Sequence, residues 1–182
     1  MSSNIMKGVD QVLYGSDADS REEIARLMDK YGSSLLRMSA LYLKDAFLAQ
    51  DAVQETFLKA YRHLRDFHGE SSEKTWLTSI CINTCRDMLK SAYFRHNSRM
   101  NIELLSERPA EFCFPDNTVI SEVMSLPAKY REVVLLRYYE EMKIKEVASA
   151  LKLSVGKTRT RLNKANEILR GRLKEWYEDE EV

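Results

Sequence analysis

Between Ile144 and Leu173 two periodic apolar runs follow each other across a three-residue break, and few folds accept that pattern. Ile144, Val147, Ala148 and Leu151 recur at i, i+3, i+4 and i+7, which lines one side of an α-helix. Lys152-Leu153-Ser154 interrupts the run. Ser154 is a good N-cap, and Thr158, Leu162, Ala165 and Leu169 then repeat at i, i+4, i+7 and i+11 on one buried stripe. A short helix, a tight turn and a longer second helix make a helix-turn-helix, whose second helix enters the major groove of duplex DNA. The opposite face of that helix holds Lys157, Arg159, Thr160, Arg161, Asn163 and Lys164. From Ser154 to Leu173 the net charge is +5, set by six cations and Glu167. An ordinary solvated helix face mixes its signs, because opposite charges one turn apart support each other. A face of one sign suits phosphate, where each bound cation releases condensed counterions.

That charge is local, since 28 Lys and Arg balance 28 Asp and Glu over 182 residues. With 44% apolar residues, six Gly and three Pro, the chain is expected to be globular and all-α, with few interruptions to long helices. No apolar run approaches the ~18 residues that span a bilayer, and MSSNIMKGVDQ lacks a signal peptide's apolar core. A cytoplasmic protein without membrane insertion is the expectation. Three cysteines argue against a disulfide framework. Cys81 and Cys85 lie one helical turn apart, but His63, His68 and His96 form no zinc-ligand spacing with them, so the thiols are assigned to the core and no metal is expected. Without a Gly-rich phosphate loop or a Ser/His/Asp arrangement, neither catalytic residues nor a cofactor are expected, and an enzyme is disfavoured.

Residues 1–19 show no clean period and read as a flexible extension. Ser20-Arg-Glu-Glu23 has the form of a capping box opening a first helix, with Ile24, Leu27, Met28, Tyr31, Leu35, Met38 and Tyr42 as its apolar stripe and Gly32 as a soft point. A second helix is predicted over 46–64, burying Val53, Phe57, Ala60, Tyr61 and Leu64 and leaving Asp51, Gln54, Glu55, Lys59 and Arg62 outward. A third follows a polar loop at Gly69 and runs over 72–94, with Leu77, Ile80, Thr84 and Met88 along one side. Lys90, Tyr93, Phe94, Arg95 and Arg99 gather around its end, a mixture of rings and cations that suits single-stranded nucleic acid. Trp76 reads as a core or semi-buried anchor ahead of a stacking platform. Residues 96–125 lose periodicity, contain Pro109 and Pro115 and carry a net charge of −3, so they are expected to be a flexible linker with a helical turn near Ile102 to Leu105. Two small helical domains result, 20–95 and 126–174, with an acidic tail over 175–182.

Four stretches now stand in order: Asp51-Ala-Val-Gln-Glu-Thr-Phe57, then Phe67-His-Gly-Glu-Ser-Ser-Glu-Lys-Thr-Trp-Leu77, then Leu126-Pro127 through Arg131, then Ser154 through Leu169. Together they resemble the extracytoplasmic-function group of bacterial sigma factors, the two-domain initiation subunits of RNA polymerase, over about residues 21–173. The resemblance implies that Asp51, Gln54 and Glu55 dock on the clamp of the largest polymerase subunit. It implies that the segment from Phe67 to Arg95 opens the −10 element and captures a flipped base, with Lys74, Trp76, Asn83, Lys90 and Arg95 as the DNA-contacting set. Flipping costs a few kcal/mol of unstacking, so an amide for the base edge with rings nearby is the expected chemistry. Lys157, Arg159, Thr160, Arg161 and Lys164 would serve the −35 element, Arg159 and Arg161 foremost.

By the same resemblance the C-terminal domain would touch the flap of the second-largest subunit, and an anti-sigma factor would hold the chain inactive. The chain departs from its relatives where they commonly have Gly: here stand Glu141 and Lys152, at turns that favour the left-handed conformation. Thr158 puts a hydroxyl on the buried stripe and is expected to bond back to the preceding turn. The competing reading is a helix-turn-helix regulator that binds duplex DNA without polymerase, which leaves the Asp51–Phe57 face and the Trp76 segment without a task.

Overall fold

Every element within residues 18–98 and 117–179, the portion that the computed structural model describes, is helical. The chain divides into two units, 1–110 and 111–182. The first holds α1 (Ala18–Leu43), α2 (Ala46–Arg62), a 3-10 turn (Leu64–Asp66) and α3 (Glu73–Ser98). The second holds α4 (Asn117–Ser125), α5 (Ala128–Val134) running into a π turn (Leu135–Tyr139), α6 (Ile144–Ala150) and α7 (Val155–Asp179).

In the first unit each of the three helices packs on the other two. The predicted α1 stripe is the buried face, with Ile24, Leu27, Leu35, Met38 and Tyr42 almost fully covered. Against it α2 sets Ala49, Ala52, Val53, Phe57 and Ala60, small residues that let the helices approach around one ring. Tyr61 and Leu64, assigned to the same core, are only half-buried. Between α1 and α2 the corner turns at Lys44, with φ 61°, and Asp45 caps α2 by accepting from the amides of Phe47 (2.8 Å) and Leu48 (2.9 Å). Cys81 and Cys85 are fully buried, and Ser39 Oγ lies 3.1 Å from Cys81 Sγ and 3.6 Å from Cys85 Sγ. The hydrogen bond with Cys81, followed by burial, pushes the Cys85 thiol far up, so it stays protonated core filling.

One expectation in this unit needs correction. Ser20 does not open α1, which already runs from Ala18, and Glu23 pairs with Arg26 at 2.6 Å across one helical turn. The helix runs unbroken through Gly32, where a methyl would meet Phe57 Cε2 at 3.9 Å, an ordinary contact.

The second unit is built on α7, which packs against α4, α5 and α6. Its predicted stripe meets a core of Val133, Leu136, Val147, Ala148 and Leu151, with Thr158, Leu162 and Ala165 buried among them and Leu169 half-buried. α6 ends in a Schellman turn: Leu153 N–H reaches Ala148 O at 2.8 Å and Lys152 N–H reaches Ser149 O at 3.1 Å. Lys152 accordingly adopts φ 54°, and Glu141, closing the π turn, adopts φ 56°, so both turns are left-handed at a residue with a side chain, as expected.

The predicted linker is also corrected at its edges. α3 extends to Ser98, and residues 117–125 of the expected linker form α4, tied to α7 through Arg172, which donates to Glu122 at 3.2 Å and to Ser125. Val119, Ile120, Val123 and Met124 give α4 its apolar spacing, masked in the sequence by the flanking Pro115 and acidic residues. α7 runs to Asp179 and so takes in the start of the acidic tail, which ends the helix's basic run. The proposed flexible extension, apart from its last residues, and the turn near Ile102 lie outside the described residues.

Candidate nucleic-acid interface

Ser154 sets the register of the cationic face. Its hydroxyl accepts from Lys157 N–H at 3.2 Å, and its carbonyl accepts the Thr158 hydroxyl at 3.0 Å, the back-bond expected of a buried threonine. With Thr158 turned inward, Lys157, Arg159 and Thr160 are exposed. Neither Lys157 nor Arg159 has an ion pair among the described residues. Thr160 Oγ1 donates to Gly156 O at 3.1 Å, within its own helix.

Arg161 stands differently. Its Nη1 lies 2.8 Å from Glu132 Oε1 on α5, and the Glu132 side chain is only 4% exposed. A carboxylate buried to that degree needs its cation, so Arg161 is a brace between α7 and α5 before it is a DNA contact. Lys164 is exposed but leans on Glu167 at 2.9 Å. Of the five residues singled out on this helix, Lys157 and Arg159 are the cations displayed without a carboxylate.

On the first unit, Asp51 is exposed and Gln54 and Glu55 are half-buried on one side of α2. Glu55 lies 3.8 Å from Lys59 Nζ, and Lys59 donates to Thr84 Oγ1 at 3.1 Å, fastening α2 to α3. One turn ahead of Asp51, Phe47 is 64% exposed, an apolar residue at the head of the same helix that sequence reasoning passed over. The signal available was its place just after the cap, off the buried stripe.

The loop into α3 is ordered by two contacts. Phe67 stacks on Trp76 with ring centroids 4.5 Å apart and planes at 18°, so Trp76 is the semi-buried anchor that was expected. Glu73, at the first position of α3, gathers Arg26, Lys30 (3.3 Å) and the Tyr31 hydroxyl (3.0 Å) from α1. Hydrogen bonding from Arg26 is the main reason that the Glu73 carboxyl is held down at about 2, with Tyr31 and Lys30 adding to it against the cost of desolvation. No sequence pattern predicted this lock, because its partners are more than 40 residues apart. Of the −10 set, Lys74 is half-buried, and Asn83 Nδ2 donates to Ser79 O at 2.8 Å while its Oδ1 accepts from Arg86 at 3.3 Å. Lys90 is exposed, 3.6 Å from Asp87. The Arg95 side chain lies outside the described residues. Among the described residues no cluster of three or more His, Cys, Asp or Glu is placed to hold a metal.

Comparison with known proteins finds a profile in each unit. The profile "Sigma-70 region 2" matches residues 27–95 and "Sigma-70, region 4" matches residues 117–167, the latter starting at α4 inside the stretch expected to be linker. The chain is 27% identical to the ECF RNA polymerase sigma factor SigW of Bacillus subtilis, over 96% of this chain and the whole of that protein. It is 30% identical to the RNA polymerase sigma-H factor of Pseudomonas aeruginosa, over 79% of this chain and 82% of that one. In fold it is similar to the sigma factor RpoE solved in complex with the anti-sigma factor NepR from Bartonella quintana, with a TM-score of 0.68 at 20% identity over 87% of this chain and 98% of the other. It is also similar to CnrH in complex with the cytosolic domain of CnrY, with a TM-score of 0.63 at 23% identity over 92% and 95%.

Proposed function

We propose, for a chain that belongs to the extracytoplasmic-function group of sigma-70 RNA polymerase sigma factors, that it carries core polymerase to promoters by dividing the work between its two units. The outer side of α2, with Asp51, Gln54 and Glu55, docks on the clamp of the largest subunit. The loop and helix beyond it, with Lys74, Trp76, Asn83, Lys90 and Arg95, open the −10 element. The Lys157–Lys164 face of α7 meets the −35 element, where Arg159 reads bases, Lys157, Thr160 and Lys164 hold base edges or phosphates, and Arg161 keeps α7 at its angle to α5. The second unit also rests on the flap of the second-largest subunit.

The observation that carries the reading is the pair of displayed cations, Lys157 and Arg159, on the second helix of a helix-turn-helix whose next arginine, Arg161, is internally braced. A bidentate Arg on guanine discriminates by about 1–3 kcal/mol, which suffices to choose one base position. The polymerase performs the bond chemistry, and the chain supplies recognition, strand opening and recruitment in the cytoplasm, where polymerase meets DNA. No described helix is long and apolar enough to cross a membrane. An anti-sigma protein restrains the chain by covering these faces; a similar sigma factor has been solved bound to one.

The test is co-elution of the full chain with core RNA polymerase on size exclusion, with and without Gln54→Ala plus Glu55→Ala. Co-elution that the double variant weakens is expected. Absence of co-elution alongside tight binding to duplex DNA would instead mark a regulator acting without polymerase.

A further inference from the structure

Ahead of α3 the loop Phe67–Ser72 exposes His68, Gly69 and Glu70 and bends at Gly69 with φ 75°. A polar surface loop has no core of its own, so its shape depends on how its ends are held. Both ends are tied to the first turn of α3. Phe67 stacks on Trp76, and Ser72 caps the helix, its hydroxyl accepting from Thr75 N–H at 3.1 Å and its carbonyl from Trp76 N–H at 3.0 Å. That first turn is held by α1. Arg26 spans two carboxylates, donating to both oxygens of Glu23 on its own helix and to both oxygens of Glu73, while Lys30 and the Tyr31 hydroxyl reach Glu73 from the next turn. Three side chains of α1 thus converge on the carboxylate that directly follows the loop.

We propose that Glu73 is a positioning residue for strand opening: through Arg26, Lys30 and Tyr31 it fixes the first turn of α3 on α1, and so sets the loop Phe67–Ser72 in the shape that receives the displaced strand. The proposal rests on the −10 reading of this unit and adds to it a group that touches no DNA. Binding groups have to be held within about 0.5 Å of their productive geometry, and a solvated loop reaches that only with its ends fixed. The place of the lock suits this task better than general stability, because the three helices are already joined by buried residues such as Met38, Phe57 and Leu77. Glu23 serves the lock as well, since a guanidinium shared between two carboxylates has less freedom than one paired once.

The experiment uses holoenzyme assembled from core RNA polymerase and the full chain, carrying Glu73→Gln, Arg26→Gln or Tyr31→Phe. Each is challenged with a pool of single-stranded oligonucleotides of random sequence, and bound and unbound fractions are sequenced, with core polymerase alone as background. The ratio between preferred and rejected bases is the quantity read, because a partly unfolded sample binds less of every sequence and leaves that ratio unchanged. Glu73→Gln should co-elute with core polymerase as wild type does and should lower the ratio about fivefold, the equilibrium factor of a strong exposed ion pair. Arg26→Gln should lower it too, although it changes the charge in the opposite sense, which an effect of charge on phosphate cannot do. Tyr31→Phe removes one donor, keeps the ring, and should lower it about twofold. Unchanged ratios in all three variants overturn the positioning role and leave Glu73 a plain fastener of α3 to α1. Opposite shifts in Glu73→Gln and Arg26→Gln overturn it in favour of direct electrostatics. Loss of co-elution by Glu73→Gln and Tyr31→Phe alike also overturns it, because the lock would then support the whole unit and not the loop. Failure of wild-type holoenzyme to discriminate bases beyond core polymerase alone removes the −10 reading itself, and the proposal with it.

Discussion

Asn83 and Arg159 hold corresponding offices in their units, each on a helix assigned to nucleic acid and each proposed to touch a base, yet their side chains stand in opposite conditions. Asn83 is half-buried, with its amide bonded to Ser79 and Arg86, so capturing a base there first breaks bonds worth about 0.5–1.5 kcal/mol each. Arg159 is exposed with no ion pair among the described residues, and nothing internal has to be undone before it meets DNA. On the proposed roles, the amide of the first unit has to be released before it can meet a base. The guanidinium of the second needs no such release. That order suits initiation, in which duplex recognition precedes strand opening.

The strongest way to break the comparison is to unfold one side of it. Phe57 is fully buried between α1 and α2, and Phe57→Ala should cost the first unit about 3–5 kcal/mol. Thermal unfolding should show the first unit melting early while duplex binding through α7 persists. A matching loss of duplex binding would mean that the two halves do not act independently. The next largest effect separates Arg159 from Arg161 on α7. Glu132→Ala leaves Arg161 without its partner and should destabilise the second unit by about 2–3 kcal/mol, less than the ~3–5 of a fully enclosed pair because Arg161 is 21% exposed. Arg159→Ala should leave the melting temperature unchanged and lose roughly 1–3 kcal/mol of discrimination at one base position. If Arg161→Ala behaved like Arg159→Ala in both assays, Arg161 would be a reader after all.

These contrasts also explain what was legible beforehand. The apolar stripes of α1, α2 and α7 could be read because a helix repeats every 3.6 residues and a short window contains the whole pattern. The same holds for the cap at Ser154 and the back-bond of Thr158, which need only their own turn. α4 reads as linker in the sequence because its nine residues follow a proline-containing acidic stretch and its partner, α7, lies some 50 residues on. The roles of Arg161 and Glu73 were unreadable for a related reason. Arg161 looks like Arg159 until Glu132 is placed beside it, and Glu73 looks like an ordinary first-turn carboxylate until α1 supplies Arg26, Lys30 and Tyr31. Periodicity tells which face a residue occupies. It does not tell which partner waits there.

The Glu73 lock gives the first unit a pH dependence. Its folded carboxyl is held at about 2, below the usual 4.5, so its contribution is fully present above pH 4.5 and disappears as pH falls toward 2. With its side chain 30% exposed, solvent screens the lock, and an effect of about 1 kcal/mol on the first unit is expected, near the upper end for exposed pairs. Denaturant unfolding between pH 5 and pH 3 should show wild type converging on Glu73→Gln as the pH drops. Parallel curves at every pH would mean that the carboxylate is not what fastens α3 to α1.

The smallest effect sharpens the account of the second unit's open site. Lys152 occupies the left-handed position of the Schellman turn at φ 54°, where a side chain costs on the order of 1 kcal/mol and Gly would relieve the clash while adding some backbone entropy to the unfolded chain. Lys152→Gly should therefore stabilise the second unit by about 0.5 kcal/mol, a rise of a few degrees in its melting temperature. The turn bonds from Leu153 and Lys152 to α6 are made by backbone and survive the change, so the angle between α6 and α7 is kept. Duplex affinity distinguishes the possible reasons for a lysine at this place. Unchanged affinity with higher stability means a strained turn whose side chain contributes nothing to DNA. A shallower salt slope means that Lys152, at the corner of the motif, adds a phosphate contact that offsets its own strain.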